Sequence, residues 1–130
     1  MSKIDLTIHK EGLQHNIDKA RENNIIIPTF AQMQNPETIP EKIQEKLKGV
    51  GLWDVNPLNL FRITWKNEAK ESGGLFQAVP NYVEIPSKLS GVPCRIIAMA
   101  GKWFPTGCHK VGASFGCLAP RLVTGQFDAT

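Results

Sequence analysis

The sequence predicts an α/β fold, on three observations. Apolar and polar residues alternate near the N-terminus. Apolar residues then recur at helical spacing in two segments of the first half. In the last third, a strand runs through a tight turn into a helix.

Each element follows from local pattern. Ile4, Leu6 and Ile8 alternate with Asp5, Thr7 and His9, the period of a half-buried strand. Leu13, Ile17 and Ala20 fall at spacings of four and three, which predicts a helix over residues 10–21 ended by Asn23-Asn24. Ile25-Ile26-Ile27 reads as a short buried run closed by Pro28. A second helix is expected where Thr38 and Glu41 form a Thr-x-x-Glu capping box. Ile43 and Leu47 make its apolar stripe, and Gly49 and Gly51 stop it.

Residues 52–79 are rich in large apolar side chains, among them Trp53, Leu58, Leu60, Phe61, Ile63, Trp65, Leu75 and Phe76. Asn56-Pro57 and Ser72-Gly73-Gly74 interrupt them and periodicity is weak, so irregular packing segments around residues 60–65 are expected. Val83-Glu84-Ile85-Pro86 then leads through Leu89, Gly91 and Pro93 to a buried strand over residues 95–100. Residues 101–107 form a loop holding Pro105 and Gly107. After it, Val111, Phe115, Leu118 and Leu122 mark a helix that Pro120 should kink or shorten and Gly125 should end.

The totals narrow the function classes. A chain of 130 residues, 42% apolar and 21% charged, can bury a single core. Fifteen basic against twelve acidic residues leave a net charge of +3, with no concentrated basic face for nucleic acid. Lys42, Lys46 and Lys48 alternate with Glu41 and Glu45, the pattern of a solvated helix face. No stretch approaches the length of a membrane-crossing helix. Three cysteines are an odd count that argues against a disulfide framework, and a cytoplasmic setting is expected.

Chemistry concentrates in Phe104-Pro-Thr-Gly-Cys-His-Lys-Val-Gly-Ala-Ser-Phe-Gly116. Unpaired backbone N–H groups and the helix dipole make a helix start receptive to anions such as phosphate. A lysine there meets a locally positive field. With partial burial, that field favours the neutral amine, the form that adds to an aldehyde. Gly112, Ala113, Ser114 and Gly116 are small enough to let a flat ring approach. They equally suit close helix–strand packing, which would need Gly112 and Gly116 but not Lys110.

Thr106-Gly107-Cys108-His109-Lys110 resembles the lysine motif of the fold-type II pyridoxal-phosphate enzymes, the superfamily of tryptophan synthase beta chains and cysteine synthases. In tryptophan synthase beta chains a Thr-Gly-small-His-Lys sequence ends a strand just before a helix, and its lysine binds the coenzyme. The approach is similar too, since Ile85-Pro86-Ser87-Lys88-Leu89 stands where the family has a Pro-Thr-Pro-Leu-like segment. The similarity covers about residues 83–125. It implies that residues 83–130 open the coenzyme-binding α/β domain, with residues 1–82 as an N-terminal extension and packing segments.

The resemblance further implies that Lys110 holds pyridoxal 5'-phosphate as a Schiff base and moves the substrate's alpha proton. His109 would lie near the coenzyme phosphate. The reaction implied is beta-elimination or beta-replacement on an amino acid, the work of a lyase or transferase. Gly101-Lys102-Trp103-Phe104 departs from the acidic residues the family often has before this turn. The family's Ser-Gly-Asn-type loop, glycine-rich phosphate loop and pyridine-facing Ser or Thr have no counterpart in these residues. The expectation is therefore the N-terminal portion of such an enzyme, incomplete alone, finished by further chain, a second polypeptide or a homodimer partner.

Other readings compete. Cys108 at a helix start beside His109 would have a lowered thiol pKa, but neighbours in sequence rarely face each other as a Cys–His dyad. Cys94, Cys108, His109 and Cys117 match no metal-ligand spacing, so buried structural cysteines are expected, Cys117 in the core. His9 and His15 are expected at the surface, on the first strand and first helix. The rival from another class is a non-catalytic interaction module, or an inactive fragment or domain that has lost the activity, docking to a partner chain; a module would use Trp53, Phe61, Trp65 and Phe76.

Overall fold

A computed structural model describes residues 5–64, 66 and 82–128. The chain mixes helix and strand: α1 (Lys10–Glu22), α2 (Phe30–Gln34), α3 (Glu41–Leu47), β1 (Tyr82–Ile85), α4 (Ser87–Ser90), β2 (Ile96–Met99) and α5 (Lys110–Val123), with 3-10 turns between. The fold separates into two compact units, one joining α1 to α5 from Gly112 onward, the other spanning Ile27–Val111.

In the first unit, α1 has the expected span. Asn24 takes a left-handed backbone, φ +52, and the Asn24 and Ile25 N–H groups donate to Arg21 O and Ala20 O. This is the paired closure that satisfies a helix's last carbonyls. α5 ends the same way around Gly125, φ +73, with Gly125 N–H on Leu122 O and Gln126 N–H on Arg121 O. The helix runs through Pro120, whose carbonyl accepts from the Thr124 N–H and hydroxyl, while Phe115 and Ala119 are buried. Asn16, buried on α1, donates from Nδ2 to Leu122 O at 3.0 Å and Phe127 O at 2.8 Å. Gly12 and Gly125 meet backbone to backbone, where a Cβ on Gly12 would lie 2.3 Å from Gly125 O.

The expected N-terminal strand does not form over residues 5–9, and Ile4 lies outside the described residues. The Asp5 carboxylate accepts from both the Thr7 N–H and hydroxyl, a local bond that competes with a sheet ladder. The Asp5 and Thr7 carbonyls instead receive the Gln126 amide, and Leu6 and Ile8 stay exposed. The isoleucine run is corrected as well. Ile25 and Ile26 are exposed because this stretch closes the end of α1 rather than entering a core.

The second unit centres on Ile39, Ile43, Leu47 and Phe61, with Leu58 packed against them. The stripe on α3 is as expected, but its cap is not. Pro40 occupies the cap position, and the Thr38 hydroxyl donates to Asn35 O within a 3-10 turn, Pro36–Thr38. Ile39 precedes a proline, which forces it extended and delays the helix to Glu41. The capping box falls on α2 instead, where Thr29 and Gln32 bond reciprocally at 3.2 and 3.0 Å.

Residues 57–64 pack irregularly, as expected, through a 3-10 turn, Pro57–Arg62. Expectations on Trp65, Leu75 and Phe76 lie outside the described residues. β1 and β2 pair antiparallel in the register Tyr82↔Met99 to Ile85↔Ile96, and Arg95 forms a bidentate pair with Glu84 at 2.8 and 3.0 Å. The strand expected over residues 95–100 is therefore shorter, and not buried. Ile97 is exposed and so is every residue of β1, since a two-stranded ribbon has little to cover its faces.

Candidate functional site

The sequence singled out the turn from β2 into α5, and each of its bends has a local cause. Gly101 must be glycine: a Cβ there would stand 2.9 Å from His109 N. The Phe104 N–H donates to Gly101 O at 3.1 Å and the Gly107 N–H to Phe104 O at 2.8 Å, around a buried Pro105. Thr106 and Gly107 then both take left-handed backbones, φ +67 and +63. Cys108 returns to an extended conformation, and α5 opens at Lys110. Strand, tight turn and helix thus follow in the expected order.

Lys110 and His109 are adjacent on this first turn, and both are exposed. The partial burial expected to help activate Lys110 is absent. Among the described residues no carboxylate forms an ion pair with Lys110, so its amine is free for another partner. Lys102, nearby, lies 4.6 Å from the centroid of the Trp103 ring. Beyond Lys110, Ala113, Ser114 and Gly116 are exposed, and a Cβ on Gly116 would meet nothing within 4 Å. Close helix–strand packing therefore does not account for Gly116.

Two contacts that sequence reasoning missed hold the turn from outside. The Thr106 N–H donates to Leu52 O at 3.2 Å. The Trp53 ring lies beside Gly107, where a Cβ would be 3.6 Å from Cζ2. Nothing in the local pattern around residues 52–53 signals this, although Gly101 and Gly107 flanking Pro105 do mark a tight loop.

All three cysteines are free, Cys94 and Cys117 exposed and Cys108 half-buried, which overturns the expectation of buried cysteines and of Cys117 in the core. Cys117 sits on the open side of α5, away from Phe115 and Ala119. Among the described residues no group of His, Cys, Asp and Glu could hold a metal ion. His9 and His15 are exposed, His9 at the start of α1 rather than on a strand. As a docking surface, Phe61 is ruled out by burial, Trp53 is 76% exposed, and Trp65 and Phe76 lie outside the described residues.

No helix among the described residues is long and apolar enough to cross a membrane. No family model, curated protein or solved structure matches the chain.

Proposed function

We propose that this chain supplies the coenzyme lysine, Lys110, of a pyridoxal-phosphate enzyme that performs beta-elimination or beta-replacement on an amino acid. The reading rests on one observation above all. A free, exposed lysine opens a 14-residue helix three residues after the left-handed pair Thr106-Gly107, within Thr106-Gly107-Cys108-His109-Lys110. The exposure of both His109 and Lys110, with no carboxylate paired to the lysine among the described residues, supports that reading.

Lys110 Nζ would hold the coenzyme at its aldehyde carbon and, once released, accept the proton from the substrate's alpha carbon. The His109 imidazole and the first N–H groups of α5 would hold the phosphate, since ring and backbone N–H groups at a helix start can donate to an anion there. The coenzyme, when bound, supplies the electron sink for carbanion chemistry. The exposure of Lys110 fits a site that further chain closes, whether more of the polypeptide, a second chain or a dimer partner. On this reading the fold is the N-terminal portion of a fold-type II enzyme in the cytoplasm, and its small-molecule partner is an amino acid.

The test is chemical. Pyridoxal phosphate added to the full chain with any co-purifying polypeptide should produce a yellow absorbance, and borohydride should then fix the coenzyme on Lys110. Peptide mass spectrometry should find Lys110 labelled well ahead of the exposed Lys88 and Lys42. Lys110→Ala should remove the label and leave the circular dichroism spectrum intact. Equal labelling of all three lysines, or an unchanged spectrum of labelled peptides in Lys110→Ala, would overturn the assignment.

A further inference from the structure

We infer that the 51–54 turn, with Trp53 at its tip, is a positioning device for Lys110; its catalytic consequence rests on the reading of Lys110 as the coenzyme lysine.

This turn is tied down far more firmly than a surface loop requires. Asp54 Oδ2 accepts the Gly51 N–H at 2.7 Å, and Asn59 Nδ2 donates to both Gly51 O and Asp54 O, at 2.8 and 3.0 Å. Asn59 is itself buried, and its Oδ1 accepts from Arg62 at 2.6 Å. Arg62, also buried, donates in turn to Val50 O at 2.9 Å and Leu47 O at 2.8 Å. Two buried polar side chains thus fasten the turn to the end of α3.

From that anchored base, two contacts reach the lysine turn: Leu52 O to the Thr106 N–H, and the Trp53 ring alongside Gly107. They fall on the two residues with left-handed backbones. A β-branched residue such as Thr106 keeps φ +67 only where its surroundings hold it. These two residues set the direction in which the chain enters α5, and so the place of Lys110. Trp53 is 76% exposed, so core burial gives no reason for a large aromatic there. A ring laid against Gly107 does.

Trp53→Ala and Trp53→Phe in the full chain test this. Hydrogen exchange of the Thr106 amide, read by NMR, should quicken about tenfold in Trp53→Ala, the scale of losing one ordinary hydrogen bond. The Phe variant should restore part of the protection, because an aromatic ring still stands beside the turn, though it falls short of the indole's far edge. Exchange at Leu47, in the core, should not move in either. In parallel, borohydride-trapped pyridoxal phosphate on Lys110 should form several-fold more slowly in Trp53→Ala relative to Lys88, and recover in part in Trp53→Phe. Unchanged Thr106 exchange in Trp53→Ala would overturn the inference whatever Lys110 does. Faster Thr106 exchange without any preferential Lys110 labelling in the parent chain would uphold the clamp and sink only the coenzyme reading.

Discussion

Thr106 stands in a conformation that an L-residue adopts at a cost of about 1–2 kcal/mol, and its branched side chain adds to the crowding. Its neighbour Gly107 meets the same requirement without a side chain. Thr106→Gly should therefore raise stability by roughly 1 kcal/mol in urea denaturation, since the strain goes. On the proposed reading of Lys110, it should also slow the trapping of coenzyme there, because a freer chain enters α5 less directionally. A variant no more stable than the parent would show that Thr106 carries no strain. At this scale much of the site was legible. Thr106, Gly107, Cys108, His109 and Lys110 are contiguous, so one local motif carries them. The Leu52 and Trp53 contacts were not legible, because they depend on segments distant in sequence meeting in space. The exposure of Lys110 was missed for the same reason, as burial is decided by neighbours that spacing does not name.

Among the elements, α3 shows best how a helix is secured from outside itself. Its apolar stripe buries Ile43 and Leu47, its last carbonyls accept from the N–H groups of Lys48, Gly49 and Val50, and Arg62 adds a second donor to Leu47 O. Burial pulls the Arg62 guanidinium below the ordinary arginine pKa, while the charge of Asp54 acts in the opposite direction. Arg62→Leu should cost about 2–4 kcal/mol, since Leu47 O, Val50 O and Asn59 Oδ1 all lose a donor inside the protein. The shift of the urea midpoint measures this, and a loss below about 0.5 kcal/mol would mean that water replaces the guanidinium. Elements with strong helical period, α1, α3 and α5, were readable from residue spacing. The N-terminal strand was misread because alternation alone cannot supply a partner strand, and the Asp5–Thr7 bonds were a nearer option for the backbone. The cap falls on Pro40 rather than Thr38 because Pro40 holds Ile39 extended.

On the scale of the whole molecule, the mixture of helix and strand was legible, whereas the antiparallel pairing of β1 with β2 required contacts that no local pattern contains. The joining of α1 to the end of α5 is of that kind too. It turns on Gly12 against Gly125 and on Asn16 reaching Leu122 and Phe127. Gly125→Ala should be costly, about 2–4 kcal/mol, because the added carbon would lie 2.3 Å from both His9 O and Leu13 N and φ +73 disfavours any side chain. Amide exchange along α1 reads that loosening directly, and α1 protection equal to the parent's would mean the two backbones can part without loss.

That arrangement also fixes an order of events during synthesis. Asn16 leaves the ribosome 106 residues before the carbonyl of Leu122 that it binds. At ordinary elongation rates α1 waits about 5–20 s for its counterpart, its half-buried stripe of Leu13, Ile17 and Ala20 meanwhile open to water. The unit that holds α3 can be assembled by then, so α1, translated ahead of that unit, finds its place after it.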